Sequence, residues 1–591
     1  MTRAVQGLWA LIAMSMRTHP WQSLLCLSET LGVVVNLAQP VALTLVVSAI
    51  TSTDEKSAWV GLGLLVAQAV ISRYLFIVGL TARINQLERM GFEFTEHIGL
   101  MVATLPSLSD LDDPATRDEL RLLHDEQGSL GLAINTLLNG LNSLVTGAGV
   151  VLLAAAADPR MLIVALGGLP ATMIVPLLSR WQGRANRRGA THSRLVEDLS
   201  RIALSPGAAC ELRVFGLGPG LLHRIRDETR LWQQPRQWLA VREGIVTSVL
   251  QVVFFTVAAS ILVWIADDTI AGTTSIAAFV LCVLIVTQLQ AATGELASSA
   301  QLLVRTARAG QRLLWLRTLH ADALSNTGHE QPGADPATLV LTNVGYQYPG
   351  ASTAALSDIN VRLDPGTVVA IVGDNGAGKS TLANLLANLL PPSTGRITVG
   401  HQDLAVINPQ QWRDQTSAAF QDHLRMEFEF IDTVGCGNLI YRRDAHLVEN
   451  ALDRADARSI ITRLPYGLHT MLGPTWTAGT DLSGGQWQRI AIARGEMRHH
   501  PRVRILDEPT ANLDAHTEHA IFDSLTTSAR AGRDTKTLTV LITHRFSTVA
   551  EADTILVLHH GRLIEQGSHD HLMTLNGHYA QLYELQAASY R

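Results

Sequence analysis

Up to about residue 305 the chain is written in long apolar runs, and beyond about residue 337 the runs shorten to strand length between turns. Six long runs, near 22–50, 57–82, 129–156, 160–181, 243–266 and 274–303, each supply the roughly 20 residues that a membrane-crossing helix requires. Only Ala157-Asp158-Pro159-Arg160 separates the third from the fourth, which predicts a tight helical hairpin. The helical pattern outlasts the apolar run in two places. From Ala82 to Leu105 there is no proline, and Gly91 and Gly99 are the only glycines, so Ser57 to Leu105 reads as one helix. At 1.5 Å per residue it would be roughly 70 Å long, against roughly 30 Å of hydrocarbon. Such a helix must project far out of a bilayer, and residues 180–242 repeat the pattern. At the two tips, Leu105-Pro106-Ser107 through Asp112-Asp113-Pro114, and Ala209 through Gly216, predict short transverse helices suited to touch another domain.

Polar residues interrupt the apolar runs. Asn135, Asn139 and Asn142 share one helical face, and Glu29, Asn36, Gln39, Gln68, Gln251, Gln288, Gln290 and Glu295 are the others. Such residues either hydrogen-bond helices together or line a polar path. As a group they favour a path. Glu29 and Glu295 lie nearest the ends of their spans, where snorkelling also accounts for them. The pattern divides the chain into a membrane domain over 1–310, with six spans and two cytoplasmic extensions, a linker over 311–337 containing Asn326 to Gly333, and a domain of β periodicity over 338–591. The expected class is multidomain, with an all-α six-helix membrane domain followed by an α/β domain.

Charge agrees with this division and orients it. Only 17% of the 591 residues are charged, below the roughly 25% of soluble proteins. The net charge of −6 argues against nucleic acid as a partner. Twelve arginines lie between Arg180 and Arg242, whereas the short connections near 51–56, 157–160 and 267–273 carry only Lys56 and Arg160. Positive charge stays on the cytoplasmic side, so both termini are expected there and the chain is expected to be multi-pass in a bacterial cytoplasmic membrane. Residues 1–20 lack a signal-cleavage site. The four cysteines show neither metal-ligand spacing nor a disulfide framework.

Chemistry concentrates in the second half. Gly373-Asp374-Asn375-Gly376-Ala377-Gly378-Lys379-Ser380-Thr381 follows the apolar Val368–Val372 and precedes the helix-prone Leu382–Leu386. Strand, glycine-rich turn and helix start are the context of a phosphate-binding loop. Its N–H groups can cradle phosphates of ATP, Lys379 can reach the outer phosphates and Ser380 can ligate Mg²⁺. Lys379 is one of three lysines, with Lys56 and Lys536, in a chain otherwise rich in arginine. The apolar Val503–Leu506, broken by Arg504, ends in Asp507-Glu508. An Asp there can hold Mg²⁺, and the next Glu can orient or deprotonate an attacking water.

Leu482-Ser483-Gly484-Gly485-Gln486 lies between these motifs, and with it the whole chain resembles the ATP-binding cassette (ABC) family. The resemblance implies that Tyr348 stacks the adenine and that Gln421 senses Mg²⁺ and the γ-phosphate. It further implies that Asp514, in Ala511-Asn512-Leu513-Asp514, communicates across a dimer and that His544 contacts the γ-phosphate. Ser483, Gly484, Gly485 and Gln486 would meet ATP held by a second subunit. One membrane half with one cassette implies pairing, as a homodimer since Glu508 and the signature are intact, with a heterodimer as the alternative. Six spans fused to a C-terminal cassette resemble the exporter branch. Two departures refine this. The glutamate usual between two glycines before the signature is absent from Gly473–Asp481, where Trp476 or Asp481 could substitute, and Trp487 stands where Arg or Lys is usual. With Glu211–Leu217 these features resemble bacterial lantibiotic-type peptide exporters. The expected cargo is a peptide or other hydrophobic compound. The alternatives are a drug or lipid exporter and an ATP-gated channel or regulator.

Overall fold

The six apolar runs become helices over Pro20–Thr51, Glu55–Ala103, Ala133–Ala157, Met161–Leu204, Gly218–Ile270 and Ile276–Ser325, each long and apolar enough to cross a membrane. The first is broken into Pro20–Asn36 and Gln39–Thr51. Pro40 opens the second piece, where its missing N–H costs least. Glu55–Ala103 is the single 49-residue helix that the absence of proline predicts. The computed structural model describes residues 3–52, 54–333, 335–509, 536–545 and 549–589. They form two compact units, Met1–Leu100 with Leu122–Leu316, and Met101–Arg121 with Arg317–Arg591.

In the first unit the hairpin Ala157–Arg160 is stapled by charge. The Asp158 carboxylate accepts from the Arg160 backbone N–H at 2.8 Å and from its guanidinium at 2.7 Å, and Arg160 also reaches Asp268 at 2.8 Å. A helix not expected from the sequence, Arg3–Thr18, buries Leu11 and Ile12. Its Gly7 lies so close to Gly310 that a Cβ would fall 2.6 Å from the Gly310 carbonyl carbon. Ile276–Ser325 continues well past 303, with Leu313 and Leu316 buried. Residues 311–325, where a linker was expected to begin, are therefore helical. Their sequence, rich in Leu, Arg and Ala and free of Gly and Pro, explains why. The transverse helix expected beyond Ala208 forms over Ala209–Val214.

The second unit contains two sheets. β1 (Leu339–Tyr346), β2 (Leu356–Leu363), β4 (Thr394–Val399) and β5 (Gln402–Asp403) form an antiparallel sheet in the order β2-β1-β4-β5. β3 (Val368–Gly373), β6 (Thr416–Ala419), β7 (Val503–Asp507), β8 (Leu538–Ile542), β9 (Thr554–His559) and β10 (Arg562–Gly567) form the other, in the order β10-β9-β3-β8-β7-β6. All its pairs are parallel except β9–β10. Parallel strands are covered on both faces and so read as unbroken apolar runs. Arg504 survives inside β7 because its guanidinium reaches the Glu496 carboxylate at 3.3 Å. One core lies between the sheets and the helix Lys379–Leu386, and a second joins the mostly helical segment from Phe430 to Met497. The tip Met101–Arg121 packs into this unit. Leu108 donates its N–H to the Leu389 carbonyl at 2.9 Å, and Arg413 donates to the Pro106 carbonyl at 2.9 Å and that of Asn388 at 3.1 Å. The transverse helix expected at this tip is one turn, Ser109–Asp112, followed by Pro114–Asp125.

Candidate nucleotide site

Three adjacent parallel strands, in the order β3-β8-β7, bring the chemistry together at their C-terminal ends, the usual place for a ligand on such a sheet. β3 ends at Gly373, with φ of +145°, and Gly376 and Gly378 follow at +80° and +99°. A Cβ on Gly373 would fall 2.1 Å from the Leu558 carbonyl oxygen, so the loop requires glycine there on space as well as on φ. Ala377 is buried, and its N–H closes a turn onto the Asp374 carbonyl at 3.1 Å. Asn375 is exposed. Lys379 is buried and donates to the carbonyls of Gly373 and Asp374, both at 2.9 Å. Burial lowers its pKa, against the pull of Glu508, Asp507 and Asp374.

β7 delivers Asp507 and Glu508. The Ser380 hydroxyl bonds the Asp507 carboxyl, whose pKa burial nonetheless raises. Asp507 Oδ1 is buried and makes no hydrogen bond. A hydroxyl beside an orphaned carboxylate oxygen is an oxygen donor set that fits Mg²⁺. Glu508 has a φ of +49°, rare for a residue with a Cβ. Its N–H is held by the Ile542 carbonyl at 2.9 Å, and its own carbonyl accepts from Gln488 at 2.8 Å. Its carboxylate reaches His544 Nε2 at 2.8 Å. Backbone bonds on both sides thus hold an unfavourable conformation that aims the carboxylate at the histidine.

The remaining predicted residues are placed less completely. Tyr348 is half-buried, edge-on to Tyr346, with its hydroxyl 3.2 Å from that of Thr381 on the phosphate loop. Gln421 is exposed two residues past β6. Ser483 caps the helix Gly484–Glu496. Its hydroxyl accepts from the Gln486 N–H at 3.3 Å, and the Gln486 side chain accepts from the Ser483 N–H at 2.8 Å. Gly485 lies in the first turn of that helix. Asp514, with Ala511, Asn512 and Leu513, lies outside the described residues. Sequence reasoning missed Gln488, although it sits one helical turn after Gly484.

Two sequence departures acquire physical content. Trp476 donates its indole N–H to the Glu427 carbonyl at 2.9 Å, and a Cβ on Gly473 would fall 2.2 Å from Glu427 Cδ. The carboxylate beside this loop therefore comes from Glu427, whereas Asp481 accepts from the Leu482 N–H at 2.8 Å. Trp487 is buried in the second core.

Among the spans, Arg83 is the organising residue that the sequence did not reveal. It donates to both Glu29 oxygens at 2.8 and 2.6 Å, to Asn135 at 3.1 Å and to Asn139 at 2.7 Å. Glu29 is thus paired inside the bundle and does not snorkel. Thr30 donates to Asn142 at 2.6 Å and Gln68 to Asn36 at 2.8 Å. Asn36, Asn139, Asn142, Gln288 and Glu295 face a cavity of about 580 Å³, while Gln251 and Gln290 face another of about 310 Å³.

The sheet and the convergence of Lys379, Ser380, Asp507, Glu508 and His544 define a P-loop nucleotide-binding domain. Residues 356–511, within this domain, match the ABC transporter family. A lipid A-core flippase of Coxiella burnetii is 42% identical over 240 residues, 39% of this chain and 38% of that protein. The flippase of Legionella pneumophila strain Paris is 38% identical over 231 residues, 39% of this chain and 37% of the relative. The chain therefore aligns with well under half the length of these relatives. A solved ATP-bound bacterial Atm1-family ABC exporter superposes over 97% of this chain and 98% of its own, with a TM-score of 0.78 at 24% identity. The whole chain thus has the exporter fold.

Proposed function

We propose that the chain is an ATP-driven exporter that works as a dimer in a bacterial cytoplasmic membrane. The contact between Glu508 and His544 at the end of the phosphate-loop sheet carries this reading, because it places a base where a γ-phosphate and its water would arrive. Lys379 and the loop N–H groups hold the phosphates. Mg²⁺ would be held by Ser380 and Asp507, with Gln421 able to join, and would neutralise charge on the transferring phosphoryl. His544 orients Glu508, and Glu508 takes the proton of the attacking water. The signature helix at Ser483 presents its N-terminus to the ATP of a second copy, which makes each site the product of two chains. Asp514 is assigned to the communication between them.

The relatives that match the cassette are lipid A-core flippases, which favours a lipid-like cargo over a peptide. The cavity, whose lining combines the polar Asn139, Asn142 and Glu295 with the apolar Val33 and Phe76, suits an amphiphile with a polar head. Glu508→Gln tests the engine. ATP hydrolysis by the purified protein should fall at least about a hundredfold, with ATP still bound. Hydrolysis at the wild-type rate would remove Glu508 from the mechanism. Fluorescent lipid flipping against peptide uptake in inverted vesicles separates the two cargoes.

A further inference from the structure

Two histidines converge on the phosphate loop at Asp374. Asp374, the second residue of the loop, directs its carboxylate to His559, the last residue of β9, with Nδ1 to Oδ2 at 3.3 Å. His578, the first residue of the helix His578–Ser589, places Nε2 3.8 Å from the same oxygen. The imidazole rings are 4.8 Å apart. Donor atoms of all three residues lie within 4.8 Å of one another. Two donors on one tetrahedral zinc ion, each at about 2.0–2.1 Å, are about 3.3–3.4 Å apart. The first pair already has that spacing, the second is within about half an ångström of it, and a small imidazole rotation brings in the third.

The cluster is incomplete as a hydrogen-bonded group. His578 Nε2 is buried and has no hydrogen-bond partner, an unfavourable state if nothing satisfies it. Its position is nevertheless fixed. Glu565 on β10 accepts from the N–H groups of His578 and Tyr579, at 2.5 and 3.0 Å, and so pins the helix start. A fixed imidazole nitrogen without a proton partner is a ready metal ligand. Two imidazoles and one carboxylate suit zinc-type ions, whereas Mg²⁺ prefers oxygen.

We propose that Asp374, His559 and His578 form a zinc-type divalent-cation site that ties the phosphate loop to β9 and to the helix His578–Ser589. A water molecule would complete the tetrahedron. Because the Asp374 carbonyl also holds Lys379 Nζ, the ion would brace the loop that grips ATP. The site differs from the Mg²⁺ position at Ser380 and Asp507, and its occupancy does not depend on transport.

Calorimetric titration of the tag-free, nucleotide-free full-length protein with zinc chloride tests this. One ion per chain should bind with Kd at or below about 1 μM. The chain has 21 histidines, so location must be read from variants. His559→Gln and His578→Gln should each weaken this binding at least tenfold while leaving the far-UV circular dichroism of the metal-free protein unchanged. Unchanged zinc affinity in either variant would overturn the proposal. X-ray absorption at the zinc edge of the wild-type protein gives a second reading that needs no variant. Two imidazole nitrogens with oxygen at about 2.0–2.1 Å would support the site, and a shell with sulfur or with a single imidazole would refute it.

Discussion

Asp507 carries the sharpest tension among individual residues. Burial raises its carboxyl pKa, and the Ser380 hydroxyl offsets this only in part. The folded protein therefore keeps that proton to a higher pH than the unfolded chain does. The contribution to stability is full below the ordinary carboxylate value and is lost as pH rises through the raised one. Without metal, ionising this group opposes folding. Asp507→Asn should raise the melting temperature of the nucleotide-free protein by a few degrees, and should abolish the additional stabilisation by Mg·ATP. A thermal-shift series with and without Mg·ATP checks both effects, and a lowered melting temperature without nucleotide would contradict the first. Glu508 shows the complementary strategy. Its positive φ is held by Ile542 and Gln488, so strain is placed on the residue assigned to the chemistry.

Among elements, the tip Met101–Arg121 matters most, because Arg413 holds the Pro106 and Asn388 carbonyls with one guanidinium nitrogen. Burial lowers the Arg413 pKa, yet the group remains charged, so both bonds are charge-assisted. Arg413→Gln should cost about 1–3 kcal/mol of stability and lower the ratio of transport to ATP hydrolysis, with basal hydrolysis retained. A proportional loss of both activities would make Arg413 a packing residue only. The elements themselves were largely legible. The phosphate loop, Asp507-Glu508 and the Ser483 cap are short-range patterns whose physics is contained within a few residues. Three features were not legible, for a common reason. Arg83 meets Glu29 and Asn139 only after three helices assemble, and it falls just past the predicted end of its span. Glu427 meets Gly473 across nearly fifty residues of sequence. Trp487 read as a marker of lineage, whereas its burial is a property of the second core. The last helix runs to Ser325, beyond the apolar run that ends near 303, because polar residues after 306 lower the apolar signal without breaking helix propensity.

For the whole molecule, one cassette with one signature helix leaves each proposed site half-built. The 64.0 kDa chain should therefore run as a dimer of about twice that mass in native mass spectrometry, and hydrolysis per chain should fall on dilution below the dimerisation constant. A monomer with undiminished hydrolysis would overturn the pairing. Composition has one further effect at this scale. Arginine carries nearly all the positive charge, and Lys56 and Lys536 are exposed, far from Lys379 in sequence. Lys379 alone is buried within a phosphate cradle, with a pKa lowered by that burial, so a larger share of it is the neutral amine. A nucleotide carrying an acylating phosphate would consequently find a single reactive amine at its binding site, and the chain brings its own address for covalent capture.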